Sequence, residues 1–524
     1  MDEALALREM ISRILPLGPG DAAVVAVKID VCRKYRLPAV PKNSAILAAA
    51  GAEEKKILRK ILLVKPGRTL SGVAPVAVMT SPAPCPHGRC LPCPGGPDHP
   101  FQSPQSYTGE EPAALRAREY NYDPFAQVHA RLGQFELLGH RVDKAELIVM
   151  GGTMTARTPE YQEGFVSRCI EAMNTYPGGA QAAEPRDVVS VGNENESAPV
   201  RCVAITFETR PDWCRGEHIA SMLHLGVTKV ELGVQQVDDA ILAYNRRGCT
   251  VEDTVAANTL LRDAGLKVGF HVMPNLPGST LDADKKMFET IFSDPRFKPD
   301  FLKIYPTLVT PGTEIEEHWN QGIYAPYQED ELIGLIAYAK SLIPEFVRLQ
   351  RIQRDIPARQ IVAGSRHSNF RQLAQDRLKA TGRKCRCIRC REIGRLPSRA
   401  EPQIRSMQYE CCGGTEHFIS AVSGDSLIGF ARLRFPSAVC RPGLENAALM
   451  RELHVYGSLV PVGNNAEPEE WQHRHYGRAL LARAEETASS AGFLRLAILS
   501  GMGVRPYYRR QGYERAGPYM VKVL

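Results

Sequence analysis

Lys229-Val-Glu-Leu-Gly-Val234, followed by Val251–Ala264 and then by Val268-Gly-Phe-His-Val-Met273, decides the fold class. The first and last pieces are short apolar runs bounded by polar or turn residues, as strands are. Val251–Ala264 carries apolar residues at helical spacing. The unit reads β–α–β, and it recurs in both directions. Apolar runs lie at Ala145–Met150, Cys202–Phe207, Phe301–Tyr305 and Phe346–Ile352, with helical patterns at Glu217–Leu225 and Asp330–Ile343. Six such units imply a parallel sheet with helical crossovers. Six are too few for the eight-fold closed barrel. The expected class is therefore α/β, a partial six-unit β/α barrel with its chemistry at the carboxyl ends of the strands.

Outward from this block the pattern changes. Residues 1–75 read as a basic helical region, with helical spacing at Ala4–Leu15 and Ile46–Val64 and a break at Pro66-Gly67. The β/α block spans 76–360 and a basic linker 361–400. From 401 to 524 the order changes to strands (Ile419–Val422, Ser426–Phe435, Ala448–Val455), a helix (Tyr476–Ala491), a strand (Arg495–Ser500), a short helix near Pro506–Arg510 and a last strand, an α+β pattern. Asn193–Ser197 reads as an exposed loop.

The 524 residues are 44% hydrophobic and 23% charged, which excludes disorder for the bulk of the chain. No apolar run of about 18 residues exists, so no membrane span is expected. MDEALALREM lacks a basic n-region, so a cytoplasmic location is expected. The net charge of +7 is unevenly spread. Arg33–Arg68 carries +8 and Arg366–Arg399 carries +9, leaving the remainder at −10. Two basic blocks on an acidic body suggest a polyanion held at defined places.

Cys85-Pro-His-Gly-Arg-Cys90-Leu-Pro-Cys93 puts three thiols on a Pro/Gly-rich loop that can wrap a ligand. Three cysteines can hold a [4Fe–4S] cluster and leave one iron open, to which S-adenosylmethionine can chelate. The alternative is zinc with His87 or His99 as fourth ligand. Four strand ends in series then look like one shared site: Gly151-Gly152-Thr153, Glu208 with Arg210, Gln235, and His271. Glycines there allow close backbone approach to a ligand amine. Glu208 and Gln235 are expected to take part in the chemistry as well as in binding the cofactor.

Cys385, Cys387 and Cys390 lie within six residues of a linker too short for its own core, which suggests a structural zinc clip. Cys411, Cys412 and His367 are candidates for the fourth ligand. The cations around this clip, Arg383, Lys384, Arg386 and Arg389, are read as RNA phosphate contacts, with Lys55, Lys56, Arg59, Lys60 and Arg68 forming a second patch.

In the last segment, Gln472-His-Arg474-His475-Tyr476-Gly477-Arg478-Ala479 opens an amphipathic helix whose N–H groups and cations suit a pyrophosphate. It is similar to the acyl-CoA loop of the GNAT acetyltransferases, with His475 in place of the first glycine. Glu452-Leu453-His454-Val455 fits a strand that pairs with pantetheine amides. Tyr507 or Tyr508 could protonate a leaving CoA thiolate.

Cys85–Pro97, Ser103-Pro-Gln-Ser-Tyr-Thr-Gly109, Val142–Gly152, Glu208–Asp212, Glu231–Gln235 and Lys65–Gly72 together resemble the catalytic subunit of Elongator in its stand-alone form. The spacing is C-x4-C-x2-C rather than the common C-x3-C-x2-C. The resemblance covers about residues 20–524. It implies a radical S-adenosylmethionine barrel fused to a C-terminal GNAT domain, with Lys144 a contact to acetyl-CoA. It further implies carboxymethylation at C5 of the wobble uridine, with the tRNA anticodon stem-loop as partner. A protein lysine acetyltransferase with a structural iron–sulfur domain is the competing reading, and a homodimer is a further expectation.

Overall fold

The computed structural model describes residues 2–18, 22–63, 67, 69, 72–98, 102–367, 369–456 and 475–524. Seven parallel strands, β1 (Ala74–Met79), β2 (Lys144–Met150), β3 (Arg201–Thr209), β4 (Lys229–Gln235), β5 (Lys267–Val272), β6 (Phe301–Ile304) and β7 (Arg348–Ile352), form one sheet in sequence order. β1 and β7 are its two edges, so the barrel is open as expected. The strand number is corrected from six to seven. β1 was missed because Ala-Pro-Val-Ala-Val-Met is short, starts with small residues and falls at the expected boundary at residue 75.

The strands alternate with helices close to those expected, at Gly216–His224, Val251–Asp263 and Glu329–Leu342. Thr250 starts the second of these with a capping box, its hydroxyl accepting from Asp253 N while the Asp253 carboxylate accepts from Thr250 N. β4 is buried along nearly its whole length, as a strand covered on both faces must be. Ahead of the barrel, helices at Asp2–Ile14, Ala23–Lys34, Asn43–Ala49 and Ala52–Leu62 enclose a small core of their own. The expected helix Ile46–Val64 is divided at Ala50-Gly51.

The C-terminal part is a second seven-stranded sheet: β8 (Pro402–Cys411), β9 (Gly414–Ser423), β10 (Ser426–Phe435), β11 (Ala447–Val455), β12 (Arg495–Leu499), β13 (Glu514–Ala516) and β14 (Tyr519–Val523). Its order is β13-β14-β12-β11-β10-β9-β8. Among the described strands of this sheet only β11 and β12 run parallel, and they pair over Ala447–Met450 and Arg495–Ile498. Beyond Met450 the two strands part, leaving Glu452–Val455 paired to β10 on one side. Helix Tyr476–Ser490 covers this sheet with Leu480, Leu481, Ala484 and Ala488.

The second sheet docks on the amino-terminal ends of the barrel strands. A Cβ on Gly501 would stand 2.1 Å from Val203 O, so only glycine permits this approach. Arg262, Arg432, Arg434 and Arg451, all at most 1% exposed, interlock there with Asp263, Asp300, Glu416 and Glu452. Asn193–Ser197 is exposed at Asn193, Glu194 and Ser197, as expected, but the segment is tied down rather than loose. Asn195 is fully buried, donating to Asn174 Oδ1 and Val200 O, while Asn193 and Glu196 accept from Arg515 and Arg509 of the C-terminal part. Polar composition concealed this, because the polar groups are satisfied by partners distant in sequence.

Candidate active site

The carboxyl ends of the barrel strands surround a cavity of about 410 Å³. Cys85, Cys90 and Cys93 line it, together with Gly152, Thr153, Glu208, Arg210, Gln235 and His271, so the sequence-derived set is brought to one place. The three sulfurs do not all lie within 4.8 Å of one another, and the His87 ring stands between two of them, 3.1 Å from Cys85 Sγ and 3.0 Å from Cys90 Sγ. Burial, then Arg210 and Arg247, pull the His87 pKa down to about 3, so the ring is neutral. Burial pushes the Cys85 thiol up.

Two buried guanidiniums face this loop. Arg247 Nη1 lies 3.6 Å from Cys90 Sγ, and its Nε has no partner. Arg210 donates to Asp212 through Nη2, while its Nε and Nη1 are buried and unpartnered. Buried donor atoms left without partners are costly. Three spaced thiols beside such cations fit an anionic polynuclear cluster better than a single ion. Gln235, at φ 66°, also leaves a buried Oε1 without a partner, and lines the same cavity. Thr153 Oγ1 is 3.5 Å from Cys85 Sγ. Gly151 and Gly152 serve packing: added Cβ atoms would stand 2.3 Å from Thr80 Oγ1 and 3.1 Å from Gln105 Cβ.

A ladder of charges inside the barrel was not anticipated. Lys229 Nζ lies 2.7 Å from Glu146 Oε1 and 3.3 Å from Glu231 Oε1. Glu231 pairs with Lys303 and lies 3.0 Å from His271 Nε2, and Lys303 reaches Glu208 at 3.5 Å. Glu208 accepts from the Tyr107 hydroxyl at 2.7 Å. Against the opposing effect of burial, Lys303 and Lys229 hold Glu231 well below the usual carboxylate range. A signal was present: a buried parallel strand should be continuously apolar, yet β2, β4 and β6 each carry charge within the run.

Cys385, Cys387 and Cys390 do converge, with their sulfurs all within 4.8 Å, and they are mostly buried. Buried Lys340 Nζ and Arg371 Nη1 have no hydrogen-bond partner, and both interact electrostatically with the trio. That donor set suits a divalent ion bound by thiolates. The fourth-ligand candidates are elsewhere. Cys411 Sγ points to Phe297 O at 3.7 Å, Cys412 Sγ to Arg296 O at 3.4 Å, and His367 Nε2 lies 2.9 Å from Glu329.

At the far end, a Cβ on Gly477 would lie 3.0 Å from the Tyr507 hydroxyl and 3.9 Å from Val455 Cγ2. Helix start, strand end and tyrosine therefore meet where β11 leaves β12. His475 takes a left-handed conformation at φ 64° ahead of Tyr476, with Arg478 and Ala479 exposed on the first turn. The Tyr507 hydroxyl is buried without a partner, whereas Tyr508 is 5% exposed within the core of the sheet. Glu452 accepts from Arg432 at 2.8 Å, Leu453 and Val455 pack on the sheet core, and His454 stacks on Phe430. Lys144 opens β2 on the side facing this domain, its pKa lowered by burial.

Of the basic residues, Lys56, Lys60, Arg383, Lys384 and Arg386 are exposed, and Lys55, Arg59 and Arg389 are half-buried. Lys56 pairs with Glu53 and Arg386 with Glu345. The two basic blocks approach each other, since a Cβ on Gly67 would lie 3.7 Å from Arg395 Nη2. Arg68, His99, Gln472 and Arg474 fall outside the described residues. Among the described residues no helix is long and apolar enough to cross a membrane.

This fold and site define a radical S-adenosylmethionine protein. Residues 84–291 match the Radical SAM superfamily, 299–380 the Radical_SAM C-terminal domain, and 4–70 the ELP3 N-terminal domain. Over 511 residues the chain is 49% identical to the tRNA uridine(34) acetyltransferase of Methanocaldococcus jannaschii, covering 95% of this chain and 93% of the relative. It is 40% identical over 514 residues to Elongator complex protein 3 of Homo sapiens, covering 95% and 92%. The solved structure of Methanocaldococcus infernus Elp3 with an N-terminal deletion superposes with a TM-score of 0.76 at 43% identity, covering 87% of this chain and all of that one. The chain belongs to the Elongator complex protein 3 family. Its superfamily implies a [4Fe–4S] cluster and S-adenosylmethionine.

Proposed function

We propose that this protein is a tRNA uridine(34) acetyltransferase that joins the acetyl methyl carbon of acetyl-CoA to C5 of the wobble uridine, with 5-carboxymethyluridine as the product after thioester hydrolysis. Its likeness to the tRNA uridine(34) acetyltransferases of two Methanocaldococcus species supports the substrate. The observation that carries the chemistry is the pairing of two sites in one chain: a cysteine-lined cavity at one end of the barrel strands, and the Val455–Gly477–Tyr507 junction on the part that packs against the other end. A lysine acetyltransferase has no use for the cavity.

Cys85, Cys90 and Cys93 would hold the iron–sulfur cluster and Cys385, Cys387 and Cys390 zinc. Bound with S-adenosylmethionine, the cluster supplies a one-electron route to a carbon radical. Arg210 and Arg247 balance the negative charge of its thiolates. Gln235 and His271 orient the ligand within the cavity, and Gly152 with Thr153 closes its wall. Glu452–Val455 would pair with the pantetheine arm, Lys144 would contact the same ligand, and the helix start at Tyr476–Ala479 would receive its pyrophosphate. Tyr507 Oη is the proton donor to the CoA thiolate. Burial raises its pKa, so the phenol stays protonated at neutral pH. The exposed cations of the two basic blocks, which meet near Gly67 and Arg395, would grip the anticodon stem-loop.

The test is oxygen-free reconstitution followed by incubation with tRNA, S-adenosylmethionine and acetyl-CoA labelled in the methyl carbon. Label in a tRNA uridine is the expected result, abolished in Cys90→Ala. Label on lysine alone, with no deoxyadenosine released, would overturn it.

A further inference from the structure

We propose that Gln105 is a positioning residue that donates a hydrogen bond to the Cys93 sulfur and so raises the reduction potential of the iron–sulfur cluster held by the first cysteine trio. The inference rests on the iron–sulfur reading of that trio. Gln105 is 6% exposed, and its Nε2 lies 3.1 Å from Cys93 Sγ. Cys93 is the buried member of the trio, so water does not substitute for this donor.

The fold clears a slot for this one side chain. Gly96, at φ 131°, would place a Cβ 2.8 Å from Gln105 Oε1, and Gly152, at φ 93°, would place one 3.1 Å from Gln105 Cβ. The two glycines lie on the cysteine loop and at the end of β2, both at positive φ, and a larger residue at either would crowd Gln105.

The loop carrying Gln105 is then clamped from the opposite side of the barrel. Two residues on, the Tyr107 hydroxyl donates to Glu208, which Lys303 of β6 also holds. Arg354, just beyond β7, donates to Ser106 O and sits 5.6 Å from the Tyr107 ring. Glu208 thereby acts on the cysteine centre through the loop. A hydrogen bond to a ligating sulfur favours the more negative, reduced form of a cluster.

The experiment is an electron-paramagnetic-resonance redox titration of the reconstituted full-length protein without tRNA. At the wild-type midpoint, the ratio of reduced to oxidised cluster in Gln105→Leu should fall about three- to tenfold, the factor expected of one hydrogen bond. Its cluster should also decay faster in air. Tyr107→Phe, which keeps the glutamine but frees the loop from Glu208, should shift the potential in the same direction by less. Zinc content and thermal midpoint should be unchanged in both. Equal potentials in wild type and Gln105→Leu overturn the proposal. If Gln105→Leu assembles no cluster, an unchanged potential in Tyr107→Phe overturns it instead. A wild-type protein that takes up no iron refutes the iron–sulfur reading itself, a separate result.

Discussion

Arg451 of β11 and Asp300, the residue before β6, form a two-point ion pair with no exposure on either side, Nη1 to Oδ2 at 2.7 Å and Nη2 to Oδ1 at 2.9 Å. This pair fastens the C-terminal sheet to the base of the barrel, and Arg262 and Arg432 converge on the same carboxylate.

Asp300→Asn should destabilise the protein by about 3–5 kcal/mol, because it leaves three buried guanidiniums without their shared counter-charge. Denaturant unfolding followed by both tryptophan fluorescence and circular dichroism should show the loss in one transition. A variant within 1 kcal/mol of wild type would be inconsistent with the network carrying the junction.

The same carboxylate sets an acid limit. Burial alone would raise its pKa, but Arg262, Arg451 and Arg432 hold it well below the usual range. The folded-state pKa is therefore depressed, so its contribution is complete above the unfolded value of about 3.9 and is lost as pH falls toward the folded value. The contribution of this junction should stay flat from neutral pH to about pH 5 and decline below about pH 4 in a pH series of melting temperatures. In Asp300→Asn that acid-dependent part should be reduced.

The two neighbouring tyrosines should separate by readout. Tyr507→Phe should lower the rate of CoA release by about 10²–10⁴ with little change in melting temperature, as loss of a general acid would. Tyr508→Ala should instead cost about 3–5 kcal/mol of stability, the usual penalty for emptying an aromatic core position. Equal effects of Tyr507→Phe and Tyr508→Phe on release would count against the assignment.

Binding of tRNA should weaken with salt at a slope of about −4 to −7 in log K against log salt, for about 6–8 neutralised phosphates. Lys60→Ala and Lys384→Ala should each reduce that slope by about one, measured by filter binding across a salt series. No change in slope for either variant would remove the basic blocks from the interface.

One zinc per chain should be found by elemental analysis, and Cys387→Ser should remove it and lower the melting temperature. The iron content at the first trio should persist, since the two trios belong to different ends of the chain's fold.

The local chemistry was legible because it is local. Three thiols within nine residues, three more within six, and apolar runs alternating with helical spacing are covalent neighbours, so order along the chain already implies nearness in space. The strand ends followed, and the set from Gly152 to His271 does face one cavity. The short β1 and the docked Asn195 were missed for the converse reason: a six-residue strand and a polar loop look the same whether or not distant partners complete them.

Sequence alone thus determined the chain's class, its two cysteine trios and the order of its parts. Tertiary structure alone decided that Tyr507 rather than Tyr508 meets Gly477, that Lys303, Glu231 and Lys229 thread charge through the barrel, and that Gln105 reaches Cys93. The physical reason is that a buried charge or donor is tolerated only beside its partner. For Arg451 and Asp300 that partner is 151 positions away, at a distance where composition and periodicity carry no information.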